Sequence, residues 1–194
     1  MNPYSRHICV FCGSSMGTDK RFAQLAQELG FAMVERRIGL VFGGGSIGLM
    51  GQVAMSVNSG GAPVFGVIPK VLEEREVASW GIGETVVVDS MHTRKALMAD
   101  KADGFIALPG GFGTLDELFE ILTWRQLGIH NKPIAILDPL GFYDPMMEFI
   151  DGLVLKGFVS ASARAYLNRF DSVEGCLDWF ALEWERSEAE RHGG

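Results

Sequence analysis

Cysteine is scarce in this chain of 194 residues: Cys9, Cys12 and Cys176 are the only three. A disulfide-stapled scaffold is therefore excluded. Cys9 and Cys12 form a C-x-x-C inside the apolar run His7–Phe11. On a strand an offset of three places two side chains on opposite faces, which suits neither a disulfide nor a shared metal. Reduced structural thiols in a reducing compartment are expected. No apolar run approaches the ~20 residues of a membrane span. Met1–Arg6 has no signal-peptide apolar core, so a cytoplasmic protein with no membrane partner is expected. Basic residues are the minority, 17 against 24 acidic, for a net charge of −7. That argues against a general nucleic-acid binder while leaving room for a local cationic pocket. His7, His92, His130 and His192 are scattered, and neither H-E-x-x-H nor a Cys/His cluster occurs, so no metal is expected. The absence of G-x-x-x-x-G-K-[ST] argues against a nucleoside triphosphatase. No motif surrounds any of the six lysines, so the Schiff-base lysine of a pyridoxal phosphate decarboxylase finds no candidate and no cofactor is expected.

What is present is ordinary in bulk, 47% hydrophobic and 21% charged, enough for one sizeable core. Short apolar runs alternate with helical spacing. Ile8–Phe11, Leu40–Phe42, Val64–Ile68, Thr85–Val88, Phe105–Leu108 and Ile134–Leu137 read as strands. Between them, Phe22, Leu25, Ala26, Leu29 and Met33 recur at helical spacing, and Leu49–Val57, Met91–Ala102 and the stretch ending near Gly128 are helix-like. Helical patterns fill much of Tyr143–Trp184. Strands this short and barely alternating belong in a sheet buried on both sides. The expectation is α/β: a three-layer, Rossmann-like, doubly wound parallel sheet with helices on both faces. No linker, repeat or low-complexity tract divides residues 1–194, so one domain is expected, with a charged tail over about 185–194 fraying.

In such sheets ligands bind at the carboxyl ends of strands. Four segments sit there: Gly13-Ser14-Ser15, Gly43-Gly44-Gly45-Ser46, Met91–Lys95 and Pro109–Glu117. Gly43–Gly48 formally matches G-x-G-x-x-G, but the next strand ends Val67-Ile68-Pro69-Lys70, without the acid a dinucleotide ribose wants. A tight turn, or a nucleotide contact through Gly44 and Gly45, are the other readings. Arg94 and Lys95 are either solvated or poised on the ligand side to grip a phosphate. Pro109–Glu117 is more specific. Its glycines permit close backbone approach, and the helix start offers unpaired N–H groups to a phosphate. Thr114 and Glu117 also fit a capping box, in which the glutamate merely closes the helix. Against that, Leu115, Leu118, Phe119 and Leu122 form one apolar face, while Glu117 lies opposite near Ile121 and Trp124. A helix apolar on two sides is covered on both, which places Glu117 in a cleft, where the helix start holds it ionised. Trp124, Leu127 and Ile129 suggest either a partner surface or a contact with the C-terminal helices.

Four motifs now stand in order: C-G-S-S at Cys12–Ser15, G-G-G-x-x-G-L-M-G at Gly43–Gly51, M-H-x-R-K at Met91–Lys95 and P-G-G-x-G-T-x-x-E at Pro109–Glu117. Together, from about Ile8 to about Phe158, they closely resemble the Lonely Guy family of cytokinin riboside 5′-monophosphate phosphoribohydrolases, whose members are often mislabelled lysine decarboxylases. The resemblance implies a Rossmann-like homodimer. It implies hydrolysis of the N-glycosidic bond of an N6-substituted adenosine 5′-monophosphate, a small-molecule nucleoside monophosphate, to free base and ribose 5-phosphate. Carried over by motif position, Arg94 and Glu117 are the implied catalytic pair. Lys95, Gly110, Gly111, Gly113 and Thr114 are implied phosphate and ribose contacts. Glu76 and Thr123 match further substrate-contacting positions, and Ser14, Gly44, Gly45, Met91 and Pro109 in the same motifs complete the expected site. Asp116 departs from the glutamate common in the family.

Overall fold

A computed structural model describes residues 4–72 and 82–192. Seven strands form one all-parallel sheet: β1 (Arg6–Phe11), β2 (Ile38–Phe42), β3 (Val64–Pro69), β4 (Glu84–Val88), β5 (Gly104–Ala107), β6 (Ile134–Leu137) and β7 (Leu167–Phe170). The order across the sheet is β4-β3-β2-β1-β5-β6-β7. The chain works outward from β1 in one direction, then returns to the other side of β1 and works outward again. β1 and β5 therefore flank a topological switch point, registered Ile8 against Gly104 through Phe11 against Ala107.

Helices cover both faces: α1 (Lys20–Glu35), α2 (Gly48–Ser59), α3 (Met91–Lys101), α4 (Phe112–Gln126), α5 (Asp144–Leu155), the single turn α6 (Ala161–Arg164) and α7 (Val173–His192). One core packs Ile8, Val10 and Leu40 against Leu29 of α1, Val53 of α2 and Phe180 of α7. The other packs Cys9, Phe11 and Phe105 against Met98 of α3, Leu118 of α4 and Ile150 of α5. Cys9 and Cys12 fall into opposite cores as unpaired, buried thiols, as the strand geometry requires. The central strands are buried throughout, because apolar side chains on both faces are needed where helices cover both. No helix among the described residues is long and apolar enough to cross a membrane.

Two expectations change. Residues 167–170 are a strand where helical spacing was read. Leu167-Asn168-Arg169-Phe170 is an edge strand with a single fully buried side chain, so it carries no apolar run. It is held by pairing with β6 and by Arg169, which reaches the buried Asp138 at 2.9 Å. The tail expected to fray from about 185 is helical through His192. Trp184 Nε1 donates to the Asp103 carbonyl at 3.0 Å, and Arg6 stacks on the Trp184 ring and pairs with Glu188, tying α7 to β1.

Candidate active site

The loops leaving β1 and β5 part at the switch point, and hydrogen bonds stitch their first residues together. Leu108 N–H donates to the Phe11 carbonyl at 2.9 Å and Gly13 N–H to that of Pro109 at 3.0 Å. The Gly13 carbonyl in turn accepts from Leu49 N–H at the start of α2, at 3.0 Å. Buried Tyr143 braces the β5 end from behind, its hydroxyl donating to the Leu108 carbonyl at 2.7 Å. Asp138 holds Tyr143 by accepting from its N–H and that of Phe142, both at 2.8 Å. Nothing in the motif pattern marked Asp138 or Tyr143, because a brace acting through main-chain groups leaves no characteristic spacing.

The two glycine turns do different work. In the first, glycine makes room for the protein itself. A Cβ on Gly43 would lie 1.9 Å from Arg94 Nη2, and one on Gly48, at φ +61, would lie 2.2 Å from the Ser14 carbonyl carbon. In the second, Gly110 makes room for Thr114, whose Oγ1 would be 2.1 Å from a Cβ there. A Cβ on Gly111 or Gly113 would meet nothing within 4 Å. Those two glycines border open space that a ligand can occupy.

That space is a cavity of about 300 Å³ lined by Cys12, Gly13, Ser14, Met50, Leu72, Met91, Arg94, Gly111–Thr114, Asp116 and Glu117. Arg94 projects from α3, whose N-cap Ser90 accepts from Thr93 N–H at 3.1 Å. Arg94 is only 4% exposed, and its Nη2 donates to the Gly43 carbonyl at 2.9 Å. Glu117 comes from α4 and is partly buried, although the helix is not buried on two opposite sides as expected: its buried side chains, Thr114, Leu118 and Ile121, form one stripe, and Phe119 is exposed. The capping-box reading fails: the N-cap is Gly111, so Thr114 is the third helical residue, buried within the first turn, and cannot cap. Glu117 is consequently the sixth helical residue. It lies beyond the first turn, to which the helix dipole's influence is confined, which removes the expected help from the helix start. No side chain caps α4, so its first-turn N–H groups keep the open character that suits an anion. Burial first, and the Glu117 charge second, push the Cys12 thiol far above its ordinary value, so Cys12 is a neutral wall of the cavity and no nucleophile.

Ser14, Met91, Arg94, Gly111, Gly113, Thr114 and Glu117 thus converge. Pro109 and Gly110 line an adjoining cleft of about 270 Å³ with Phe22 and Phe142. Gly44 and Gly45 are buried and line neither space among the described residues. Gly44, at φ +76, packs its backbone against Ile68. Thr123 faces away, in an apolar groove between α4 and α5, where its hydroxyl donates to the Phe119 carbonyl at 2.7 Å. Lys95 turns to α4 and pairs with Asp116 at 3.2 Å and Glu120 at 3.0 Å. Burial opposes its charge, but hydrogen bonds to the two carboxylates outweigh burial and raise the ammonium above its ordinary value. Glu76 lies outside the described residues. Cys12, Met50 and Leu72 are lining residues that the sequence reading missed.

A doubly wound parallel sheet with a guanidinium and a carboxylate in one glycine-edged cavity at its switch point defines a Rossmann-like α/β protein with a ligand cleft. The sequence model described as "Possible lysine decarboxylase" matches residues 50–179. The chain is 54% identical over 159 residues to "Cytokinin riboside 5'-monophosphate phosphoribohydrolase LOG2" of Arabidopsis thaliana, covering 82% of this chain and 75% of that protein. It is 56% identical over 159 residues to "Cytokinin riboside 5'-monophosphate phosphoribohydrolase LOG" of Oryza sativa subsp. japonica, covering 82% and 66%. Among solved structures, the Moco carrier protein of Chlamydomonas reinhardtii superposes with a TM-score of 0.68 at 20% identity, over 94% of this chain and 98% of that one. That likeness shows the fold alone. The chain belongs to the family of cytokinin riboside 5′-monophosphate phosphoribohydrolases, as its four motifs implied.

Proposed function

We propose that this chain hydrolyses the N-glycosidic bond of adenosine 5′-monophosphates, N6-substituted ones included, releasing free base and ribose 5-phosphate. The observation that carries the reading is the cavity itself: Arg94 and Glu117, brought from two helices, share it with an uncapped helix start edged by Gly111 and Gly113. Cleavage of a ribosyl C–N bond builds positive charge on the sugar. Glu117 stabilises that charge and orients the attacking water. The purine departs with electrons on its ring nitrogens, and Arg94 offsets them; a guanidinium is too weak an acid to give up its own proton. Backbone N–H groups over Gly111–Thr114 anchor the 5′-phosphate, and that remote binding energy positions the sugar. Decarboxylation does not fit. No lysine lines the cavity among the described residues, and the nearby Lys95 is engaged by two carboxylates, so no Schiff-base lysine is offered.

The chain acts as a homodimer in the cytoplasm. Support for the dimer is the apolar groove between α4 and α5, lined by Leu122, Ile150 and Leu153 and by the exposed ring of Phe119. Support for the compartment is three buried cysteines with no disulfide.

Chromatography of a nucleoside monophosphate panel after incubation tests the activity, with free base and ribose 5-phosphate as the expected products. Glu117→Gln keeps the shape, removes the charge and lowers turnover by roughly 10²-fold or more. Tight binding of adenosine monophosphate with no base released over hours would instead establish a non-catalytic nucleotide-binding protein. Near-normal turnover in the glutamine variant would take Glu117 out of the chemistry.

A further inference from the structure

The geometry points to Lys95 as a positioning residue: its ammonium clamps α3 to α4 and so fixes Arg94 and Glu117 relative to each other, without touching the phosphate. The inference rests on the proposed hydrolase reading and reassigns one residue within it.

Arg94 and Lys95 are neighbours on α3, about 100° apart around the helix. They diverge accordingly. Arg94 is directed to the Gly43 carbonyl, and Lys95 reaches across to α4. There it sits between Asp116 and Glu120, 3.2 Å from one carboxylate and 3.0 Å from the other. Those two acids are four residues apart, a spacing at which like charges repel across one helical turn, and the ammonium relieves that repulsion. The Glu120 arm of the clamp is largely shielded from solvent, with 15% of the Lys95 side chain and 21% of Glu120 exposed, so it is worth more than an open surface pair, while Asp116 is 59% exposed and adds less. Among the described residues Glu120 Oε2 is buried with no hydrogen-bond partner, so Glu120 depends on Lys95 to offset its charge.

Asp116 immediately precedes Glu117, and Lys95 immediately follows Arg94. Any roll or slide of α4 against α3 at the clamp is passed directly to the two groups in the cavity. With its ammonium already engaged by two carboxylates, Lys95 has little free charge to offer a phosphate. Phosphate recognition therefore falls to the α4 start and not to Lys95.

The test compares Lys95→Met and Lys95→Arg with the unaltered protein by two readouts: turnover of adenosine monophosphate per binding site, and the Kd for ribose 5-phosphate by calorimetry. Stoichiometry in the second counts folded sites, which separates misplacement from partial unfolding. Lys95→Met is expected to lose about tenfold to hundredfold in kcat, the scale of a small misplacement of reacting groups. Its ribose 5-phosphate Kd is expected to stay within about threefold, under 1 kcal/mol. Lys95→Arg, which keeps charge and reach, recovers most of the loss. Should Lys95→Met fail to fold, Glu120→Gln removes half of the clamp and shows the same pattern at smaller scale. A Kd weakened about tenfold or more would make Lys95 a phosphate contact and overturn the proposal, as would an unchanged kcat. Absence of base release by the unaltered protein is a separate result, which refutes the hydrolase reading itself.

Discussion

Gly113 offers a case in which stability and binding move in opposite directions. It is the second residue of α4, and a Cβ built on it meets nothing within 4 Å. The backbone there has an ordinary helical conformation, with no positive φ to protect. Considered alone, the fold would prefer alanine: Gly→Ala at a compatible helical position stabilises by about 0.5–1 kcal/mol. For a chain of this length that raises the melting temperature by about 1–4 °C. The new methyl, however, projects into the cavity shared with Arg94 and Glu117. If the phosphate is held there by first-turn N–H groups, the methyl keeps it from at least one charge-assisted hydrogen bond, worth about 1.5–3 kcal/mol. The Kd for ribose 5-phosphate should then weaken by about tenfold to hundredfold. Thermal denaturation and calorimetry on Gly113→Ala read both effects from the same sample. A variant that melts higher yet binds as tightly as before would show that glycine at this position serves neither fold nor ligand, and the anchoring of the phosphate at the α4 start would be wrong.

Most of the architecture could be read because buried parallel strands announce themselves. Ile8–Phe11, Phe105–Leu108 and Ile134–Leu137 are apolar on both faces and end at glycine or turn signals, and their boundaries agree with the observed strands to within a residue or two. β7 was illegible for the opposite reason: an edge strand needs one apolar face at most, and Asn168 and Arg169 hide it. The cavity was legible as a set of loops at strand ends. How the side chains divide within it was not. Gly43 and Gly111 look alike in a motif, yet one yields space to a guanidinium from a helix fifty residues on and the other to open volume. Likewise Arg94 and Lys95 read as one basic pair, and only the position of Asp116 and Glu120 on a separate helix parts them. Thr123 is set outward by its helical phase relative to Glu117. These distinctions depend on which helix faces which, and local spacing does not encode that.

Two further outcomes follow. If the α4–α5 groove is the face that pairs with a second copy, light scattering returns twice the chain's 21.2 kDa mass, and a monomeric mass removes the dimer. Gly43→Ala tests whether the first glycine turn acts through Arg94. The added Cβ would stand 1.9 Å from Nη2 and 3.0 Å from Cζ, so the guanidinium must leave the Gly43 carbonyl it now engages. Losing a preorganised charge from a reaction site costs about 10²–10³ in kcat, while the crowding itself destabilises by about 1–3 kcal/mol. A loss of activity alone would not separate eviction of Arg94 from a general disturbance of the turn. A double-mutant cycle does. Arg94→Ala empties the space the methyl needs, so Gly43→Ala added to it should cost almost nothing further in turnover or stability. If the two losses add in full, Gly43 is required for something other than seating Arg94, and the division of labour between the two glycine turns fails.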